Sequence, residues 1–232
     1  MTTNTEIPSL DGKAAIPAYV ARPAGSPRAA IIVIQEIFGV NKGIRKKADG
    51  WAARGYLAVA PDVFWRQKPG IELDADIPEQ FQEAVGYMMK HDFDVGIRDV
   101  EAVIHWIRRQ EGVSKVGLVG FCMGGRVAYM AAARTDIDAS VGYYGVMIDQ
   151  MLNEKHAISR PLMLHIPTAD GFVHAETQKA IHDGLDDHPK VTLYDYEGLD
   201  HGFASELGAR RVEDAARLAD ERTAEFFAKH LA

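Results

Sequence analysis

The 232-residue sequence predicts a single-domain α/β fold whose mostly parallel central sheet is covered by helices on both faces. Segments with strand and helix patterns alternate along the chain, which is typical of parallel strands joined by right-handed helical crossovers. Runs such as Ala29–Ile34 are continuously apolar and β-branched, as expected of strands buried on both faces. Because no repeat, low-complexity tract or linker interrupts this pattern, we treat residues 1–232 as one domain.

Each element follows from its own local pattern. An Asp-Gly turn predicts an opening pair of short strands, Ile7–Asp11 and Ala14–Ala21. Helices are assigned where apolar residues recur every three or four positions, and strands where short apolar runs end in turn residues. The remaining predicted elements are, in order, strand Ala29–Ile34, helix Lys42–Arg54 with Gly55 as its cap, strand Tyr56–Ala60, an irregular stretch Val63–Ile77, two helices within Pro78–Gln110 that break near His91–Asp94, strand Val116–Val119, a helix from Arg126, strands Ser140–Tyr144 and Pro161–Ile166, helix Ala175–Leu185, strand Val191–Tyr196 and helix Glu213–His230.

The composition limits the classes of function. A formal net charge of −7 without a basic cluster argues against nucleic acid and anionic membranes as partners, and no apolar run is long enough to cross a bilayer. One cysteine cannot form an internal disulfide, and the segment Met1–Glu6 lacks the basic and apolar parts of a signal peptide. These observations indicate a cytoplasmic protein. We expect a monomer or a homodimer, although these observations do not bear on the number of subunits. Neither a Gly-x-Gly-x-x-Gly segment nor a Walker loop occurs, so we expect no cofactor.

The segment Gly120–Gly124 carries the strongest functional signal. It reads Gly-Phe-Cys-Met-Gly between a predicted strand and a predicted helix, which is the pattern of a nucleophile elbow. Such a sharp turn needs glycine on both sides, and it holds the central side chain out of the sheet. The central residue is Cys122, the only cysteine of the chain. A lone cysteine is often a small buried hydrophobe, but the elbow context favours a nucleophile.

An activated nucleophile needs a base and an orienting acid, and sheets with this elbow supply the acid first and the histidine later along the chain. Asp170 follows the predicted strand Pro161–Ile166 and is the predicted acid. His201 follows the predicted strand Val191–Tyr196 and is the predicted base. Two alternatives stay open, namely Asp170 as a turn cap before a glycine and Asp200 as the orienting acid. Asp200 is disfavoured because adjacent residues on an extended segment usually point apart.

The other histidines are interpreted as parts of the core or the surface. His182 and His188 lie close in sequence to three aspartates, Asp183, Asp186 and Asp187, at the end of a predicted helix. No paired motif such as His-Glu-x-x-His occurs. A solvated polar face is therefore favoured over a metal site, and we expect no metal.

Several motifs occur together in one order along the chain. They are Gln35–Gly39 (Gln-Glu-Ile-Phe-Gly), Ala60–Asp62 (Ala-Pro-Asp), the cysteine elbow, Val141–Gly145 (Val-Gly-Tyr-Tyr-Gly) and Asp200–Phe203 (Asp-His-Gly-Phe). This combination resembles the dienelactone hydrolase family, the carboxymethylenebutenolidases of the α/β-hydrolase fold, over nearly the whole chain. The resemblance implies hydrolysis of a small-molecule ester or lactone through a thioester on Cys122, with His201 and Asp170 completing a triad.

The resemblance assigns further roles. Glu36 matches a glutamate that holds the thiol at rest and helps to ionise it when substrate binds. The backbone N–H groups of Ile37 and Met123 match the oxyanion hole, in agreement with the general rule for this fold. Five side chains are expected to line the substrate pocket: Phe38, Phe81, Tyr144, Phe203 and Ser205.

Two positions depart from the family pattern. Family members that cleave dienelactones hold the substrate carboxylate with two arginines, one of them in a His-x-Phe-x-Arg segment. This chain has Ser205 at that position, and it has Glu79–Gln82 (Glu-Gln-Phe-Gln) where the other arginine is expected. Losing two bidentate contacts predicts a substrate without a free carboxylate near the scissile bond. Four other arginines would overturn this expectation if one of them took the place of the missing pair: Arg66, Arg126, Arg210 and Arg211.

Two other classes of function are weighed against an ester or lactone hydrolase. One is a non-catalytic ligand-binding domain that kept the fold, and the complete Cys-His-Asp set argues against it. The other is a redox-responsive thiol protein, and the lack of a second cysteine to resolve a sulfenic acid argues against it. The hydrolase is therefore the favoured interpretation.

Overall fold

One sheet organises the chain in the computed structural model, which describes residues 2–110 and 113–232. Met1, part of the N-terminal segment considered above, lies outside the described residues, as do residues 111 and 112. The strands are β1 (Thr5–Pro8), β2 (Ala15–Ala21), β3 (Ala30–Ile34), β4 (Leu57–Pro61), β5 (Val116–Phe121), β6 (Ala139–Tyr143), β7 (Leu162–Pro167) and β8 (Val191–Tyr196).

The eight strands pair in the order β1-β2-β4-β3-β5-β6-β7-β8. Strand β2 is antiparallel to both of its neighbours, and every other pair is parallel. The prediction of a mostly parallel α/β sheet is therefore confirmed. The carboxyl ends of β3, β5, β6, β7 and β8 consequently meet at one edge, which is where open α/β sheets bind ligands.

Helices cover the sheet on both faces. They are α1 (Lys42–Ala53), α2 (Pro78–Met89), α3 (Phe93–Ile107), α4 (Met123–Arg134), α5 (Ala175–Leu185) and α6 (Glu213–His230), with a 3₁₀ segment at Asp149–Ala157. Alternate residues of β3 contribute to two separate buried clusters. Ile32 and Ile34 pack in the cluster that includes α3, α4 and α5, whereas Ile31 and Val33 pack in the cluster that includes α1 and α6. This alternation explains why the strand is apolar at every position.

Several predicted boundaries differ from the structure by one or two residues, and two are wrong by three residues for a local reason. Strand β1 ends at Pro8 rather than at Asp11, because the Ser9 hydroxyl hydrogen-bonds the Asp11 carboxylate at 2.8 Å and closes a turn. Helix α4 begins at Met123 rather than at Arg126. Its first turn contains two glycines, which lower intrinsic helix propensity and hide the true start from a propensity argument.

The helices pack against the two faces of the sheet. Within the two described ranges, no helix combines the length and the apolarity needed to cross a membrane.

Candidate active site

Cys122 alone forms the turn between β5 and α4. Its backbone has φ 55° and ψ −115°, a conformation that residues with a side chain rarely adopt. The backbone N–H of Cys122 donates to the Tyr143 carbonyl oxygen at 3.0 Å, which ties the turn to the neighbouring strand β6. Strain of this kind persists only where the surroundings impose it, and it is concentrated at functional sites.

The glycines on either side of Cys122 allow the backbone to approach itself closely. A Cβ on Gly120 would overlap the carbonyl oxygen of Gly124. A Cβ on Gly124 would lie 2.7 Å from the carbonyl oxygens of both Ile34 and Gln35 at the end of β3. A larger residue at Gly120 would therefore push the first turn of α4 away from β5, and a larger residue at Gly124 would separate the elbow from the end of β3.

His201 and Asp170 lie together in the loops that follow β8 and β7, and both are buried. His201 Nδ1 is 2.9 Å from Asp170 Oδ2 and 3.1 Å from Oδ1. Asp170 Oδ1 also accepts the backbone N–H groups of Phe172 and Val173 at 2.8 and 3.0 Å. One carboxylate thus caps its own turn and contacts the imidazole, so the two interpretations of Asp170 are compatible.

Asp200 has a different environment although it precedes His201 in the sequence. It is exposed, and its Oδ1 accepts the backbone N–H groups of Gly171 and His201 at 2.8 and 2.7 Å. Its other oxygen lies 3.4 Å from Arg210 Nη1. These bonds hold the loop around His201 in place. The carboxylate that contacts the ring nitrogen Nδ1 of His201 is that of Asp170.

The second ring nitrogen of His201, Nε2, is buried and has no hydrogen-bond partner in the described part of the chain. Tyr144 and Phe172 enclose the ring, each with its centroid 4.9 Å away. Burial acts to lower the pKa of His201, but the nearby Cys122 and the Asp170 carboxylate outweigh it and raise the pKa. Cys122 therefore lies close enough to raise the pKa of His201, although its sulfur and Nε2 do not form a hydrogen bond of normal geometry.

Glu36 follows β3 and faces the same site. Its Oε1 accepts the Tyr144 hydroxyl and its Oε2 accepts the Ser205 hydroxyl, both at 3.2 Å. Burial raises the pKa of Glu36, and this effect exceeds the opposing influence of His201, of Lys47 and of the two hydroxyl donors. The carboxyl group is consequently adapted to taking up a proton.

Two backbone N–H groups near the elbow are free to bind an oxygen. Met123 is the first residue of α4, so its N–H has no acceptor within the helix. Ile37 lies in the loop after β3, beside the elbow in a shared apolar cluster. Neither N–H has an acceptor within residues 2–110 and 113–232.

A cavity of about 310 Å³ connects these groups. Its walls include Glu36, Ile37, Cys122 and His201, so the fold brings these predicted site residues together. Three of the five side chains expected in the substrate pocket also line it: Phe38, Phe81 and Ser205.

The other two expected pocket residues, Tyr144 and Phe203, do not line the cavity, which corrects the sequence-based expectation. Both are buried behind its wall. The Tyr144 ring packs against His201 while its hydroxyl reaches Glu36. The Phe203 ring packs on Tyr196 with the centroids 4.7 Å apart. Tyr144 and Phe203 therefore support the residues of the site and do not face the space that a substrate would fill.

Some residues that line the cavity were not predicted from the sequence. Phe172 is half exposed, stacks on Phe81 and meets the ring of His201 in a T-shaped contact. The only sequence signal for this placement is its position two residues after Asp170. Met147 lines the cavity from the segment after β6. Of the arginines considered as substitutes for the missing pair, Arg210 lies on the cavity wall.

The polar segment near the end of α5 forms side-chain pairs at the surface. His182 lies 2.9 Å from Asp186 and 3.1 Å from Asp195. Throughout the residues that the structure describes, no group of three or more His, Cys, Asp or Glu side chains is arranged to hold a metal ion.

Comparison with known proteins identifies the family of this site. The model of the dienelactone hydrolase family matches residues 16–231. The chain belongs to the dienelactone hydrolase family. A protein of Azospirillum brasilense is 40% identical, with 99% of each chain covered. The carboxymethylenebutenolidase of Pseudomonas putida is 37% identical, with 98% of this chain and 97% of that protein covered.

Structural comparison agrees with this membership of the dienelactone hydrolase family. A crystal structure from Klebsiella pneumoniae has a TM-score of 0.82 and 27% sequence identity, and it covers 97% of this chain and 99% of its own. The resemblance inferred from the motifs is thus confirmed, together with the α/β-hydrolase fold. The protein is an enzyme of the ester and lactone hydrolase class.

Replacing Glu36 with glutamine is expected to stabilise the fold most at high pH. Burial raises the pKa of Glu36 in the folded protein, so its favourable contribution is complete below the unfolded pKa and is lost as the pH rises through the folded pKa. Glutamine does not titrate. The difference in Tm between Glu36→Gln and wild type should therefore grow as the pH rises above the carboxyl reference pKa of about 4.3.

The control for this experiment is Glu197→Gln, because Glu197 is exposed. Thermal unfolding of the three proteins, followed by circular dichroism across the pH range, measures the effect. A Tm difference for Glu36→Gln that stays constant with pH, or that matches the control, would show that the pKa of Glu36 is not raised in the folded protein.

Proposed function

We propose that this protein hydrolyses a small ester or lactone by covalent catalysis, with Cys122 as nucleophile, His201 as base and Asp170 as the orienting acid. The observation that carries the proposal is the environment of the imidazole. Its Nδ1 lies 2.9 Å from Asp170, while its Nε2 is buried, without a partner among residues 2–110 and 113–232, beside a cavity that Cys122 also lines. One ring nitrogen is fixed and the other is available for proton transfer, as a triad requires.

The first step is formation of the thiolate, because a free thiol is only a few per cent ionised near neutral pH. An imidazolium at His201 stabilises the negative sulfur, in line with the raised pKa of that histidine. Cys122 also precedes the first turn of α4, where the helix dipole favours negative charge. Glu36 lines the same cavity and takes up the thiol proton when substrate enters.

The sulfur then attacks the carbonyl carbon, and the carbonyl electron pair moves onto oxygen. The N–H groups of Ile37 and Met123 bind this oxyanion, an interaction worth about 3–4 kcal/mol per donor in enzymes of this kind. Collapse of the tetrahedral intermediate breaks the bond to the leaving alkoxide, which takes its proton from His201. The product of this half-reaction is a thioester on Cys122.

Water completes the reaction in the second half. His201, held by Asp170, removes a proton from water as the oxygen attacks the thioester carbonyl. The sulfur leaves as thiolate and the carboxylic acid product is released. The same backbone donors stabilise the second oxyanion, so one set of groups serves both steps.

Screening lactones and short-chain aryl esters tests the overall proposal. An activated aryl ester should give a burst of phenol equal to the enzyme concentration and then steady turnover. A protein that binds these compounds without releasing product would be a ligand-binding domain. Peroxide consumption faster than any hydrolysis would instead identify a redox-responsive thiol.

The substrate is proposed to lack a free carboxylate near the scissile bond. Ser205 occupies a family arginine position, and its hydroxyl is directed at Glu36 at 3.2 Å. Phe81 presents an aromatic ring where the other arginine is expected, and Asp76 adds an acidic group to the cavity wall. These features favour an uncharged substrate, whereas Arg210 on the same wall would favour a carboxylate and is, among the described residues, its one lining cation besides the catalytic His201.

A dienelactone methyl ester is expected to be a better substrate than the corresponding free acid. Hydrogen bonds to a charged group are worth about 1.5–3 kcal/mol each, so two missing arginines should lower kcat/KM for the acid by roughly 10²- to 10⁴-fold. Ser205→Arg combined with Phe81→Arg should shift the preference toward the acid. The measurement is kcat/KM for both compounds with each enzyme.

A strong preference of the wild type for the free acid would contradict this expectation. Arg210→Gln then identifies the cause, because a preference that disappears in this variant assigns the carboxylate to Arg210. Arg211→Gln is the matched control, since Arg211 pairs with Glu213 at 2.7 Å and does not line the cavity.

A further inference from the structure

A second cavity, of about 440 Å³, lies on the other side of the molecule from the candidate active site. It begins beside Pro161 and Lys190, which precede β7 and β8, whereas Cys122 and His201 lie beyond the carboxyl ends of their strands. The two cavities have no lining residue in common. The second cavity is lined by Pro161, Met163, Pro189, Lys190, Thr192, Tyr194, Arg222, Glu225, Phe226, Lys229 and His230.

The charge of this cavity is opposite to that of the whole chain. Three permanent cations, Lys190, Arg222 and Lys229, line it together with His230, against the single acid Glu225. The chain as a whole carries a formal net charge of −7. Within residues 2–110 and 113–232, none of the three cations has a carboxylate within ion-pair distance.

Arg222 is held in place by aromatic residues rather than by an acid. Its guanidinium lies 4.1 Å from the Tyr194 ring centroid, a cation–π contact. Its Nη1 also donates to the Tyr196 hydroxyl at 3.2 Å. A guanidinium fixed in this way keeps N–H donors for a planar anion, and a carboxylate is the group that accepts them in pairs.

The rest of the lining is apolar apart from Thr192. Tyr194 and Phe226 provide aromatic surfaces, and Pro161, Met163 and Pro189 complete the wall. The volume falls within the range of about 300–1,000 Å³ that is typical of small-molecule sites. A ligand that fits both parts of the cavity therefore has an anionic group and a compact apolar body.

We propose that this cavity binds a small aromatic or unsaturated carboxylate, with the carboxylate on Arg222, Lys190 and Lys229 and the apolar body against Tyr194 and Phe226. A carboxylate is favoured over inorganic phosphate because half of the lining offers nothing to a fully hydrated anion. This binding site does not depend on the chemistry proposed at Cys122, so the two proposals are tested separately.

Calorimetric titration with benzoate tests this assignment on the full-length protein after Cys122 has been alkylated with iodoacetamide, which blocks the thiol in the other cavity. Benzoate should bind saturably with one site per chain. Benzamide has the same body without the charge, acetate has the charge without the body, and phosphate has a different anionic head. Each should bind at least about tenfold more weakly, since a tenfold ratio corresponds to one good contact.

Variants locate the site. Arg222→Gln and the double variant Lys190→Gln with Lys229→Gln should each weaken benzoate binding about tenfold or more, whereas Glu225→Gln should strengthen it. The control is Arg217→Gln on the same helix, because Arg217 pairs with Glu221 at 3.0 Å and does not line the cavity. The double variant changes two exposed side chains and avoids the contact of Arg222 with Tyr196.

Three results would overturn the proposal. The first is no saturable binding of benzoate to the alkylated protein. The second is equal affinity for benzamide, which would remove the role of the cations. The third is benzoate affinity that the double variant leaves unchanged, which would place the ligand elsewhere.

Discussion

Replacing Cys122 with alanine is expected to lower kcat for ester hydrolysis by about 10⁴-fold or more, the size of effect seen when a triad nucleophile is removed. The physical reason is that alanine leaves no group to form the covalent intermediate, while the backbone donors at Ile37 and Met123 retain a small residual rate. Circular dichroism should show an unchanged fold, because the side chain removed is small. Steady-state kinetics with an aryl ester measure the effect.

Cys122→Ser is the matched variant for this prediction, because it retains the geometry of the elbow. An alkoxide is much harder to form than a thiolate, and Glu36 is placed to take a proton from a thiol, so most activity should be lost. Retention of activity within tenfold in Cys122→Ala would refute the nucleophile. Equal rates for the serine and cysteine enzymes would refute the activating role of Glu36.

Asp170→Asn is expected to lower kcat by roughly 10³- to 10⁴-fold, as in other triads where the orienting acid becomes an amide. The amide can keep its oxygen on the N–H groups of Phe172 and Val173, so the loop should be preserved. Its NH₂ group would then face His201 Nδ1 and favour the tautomer with the proton on Nε2. That tautomer cannot accept a proton from the water that attacks the thioester.

Asp200→Asn is the control for Asp170→Asn, because it changes the neighbouring carboxylate that contacts only the backbone and Arg210. Its effect on kcat should stay within about tenfold, which corresponds to one ordinary hydrogen bond. The reverse ranking of the two variants would move the orienting role to Asp200. The pH dependence of kcat/KM separates an altered base from a misfolded loop.

The fold and the order of the site residues can be predicted because they depend on local signals. Short apolar runs and helical spacing identify strands and helices without knowledge of their partners. Gly120 and Gly124 mark the elbow because a Cβ at either position would meet backbone atoms. Once the elbow is located, parallel topology brings the loops after β7 and β8 to the same sheet edge, where Asp170 and His201 lie.

Side-chain directions depend on long-range packing and could not be predicted in this way. Tyr144 has φ 40°, and this unusual backbone angle accompanies a ring that packs on His201 rather than in the cavity. The charge of Lys47 in α1 acts to lower the pKa of Glu36. Lys47 also pairs at 3.5 Å with Glu206, a residue far from it in the sequence. No periodic or motif signal encodes either placement.

The sequence also does not separate functional histidines from structural ones. His165 is fully buried in β7, with Nδ1 2.7 Å from the Tyr196 hydroxyl and Nε2 2.9 Å from the Thr223 hydroxyl. Burial lowers the pKa of His165 to about 3, and the charge of Arg222 acts in the same direction. Both nitrogens are satisfied and the ring stays neutral, in contrast to His201, whose Nε2 has no partner among the described residues.

Mass spectrometry of the acyl-enzyme tests the central claim most directly. The protein is mixed with p-nitrophenyl acetate, quenched in acid during turnover and digested. Asp170→Asn is run in parallel, because slower attack by water should increase the trapped intermediate. We predict one acetyl group per chain on the peptide that contains Cys122, released by hydroxylamine and absent from Cys122→Ala. Turnover without any acetyl group on Cys122, or an acetyl group on another residue that appears and decays at the rate of turnover, would contradict a thioester mechanism.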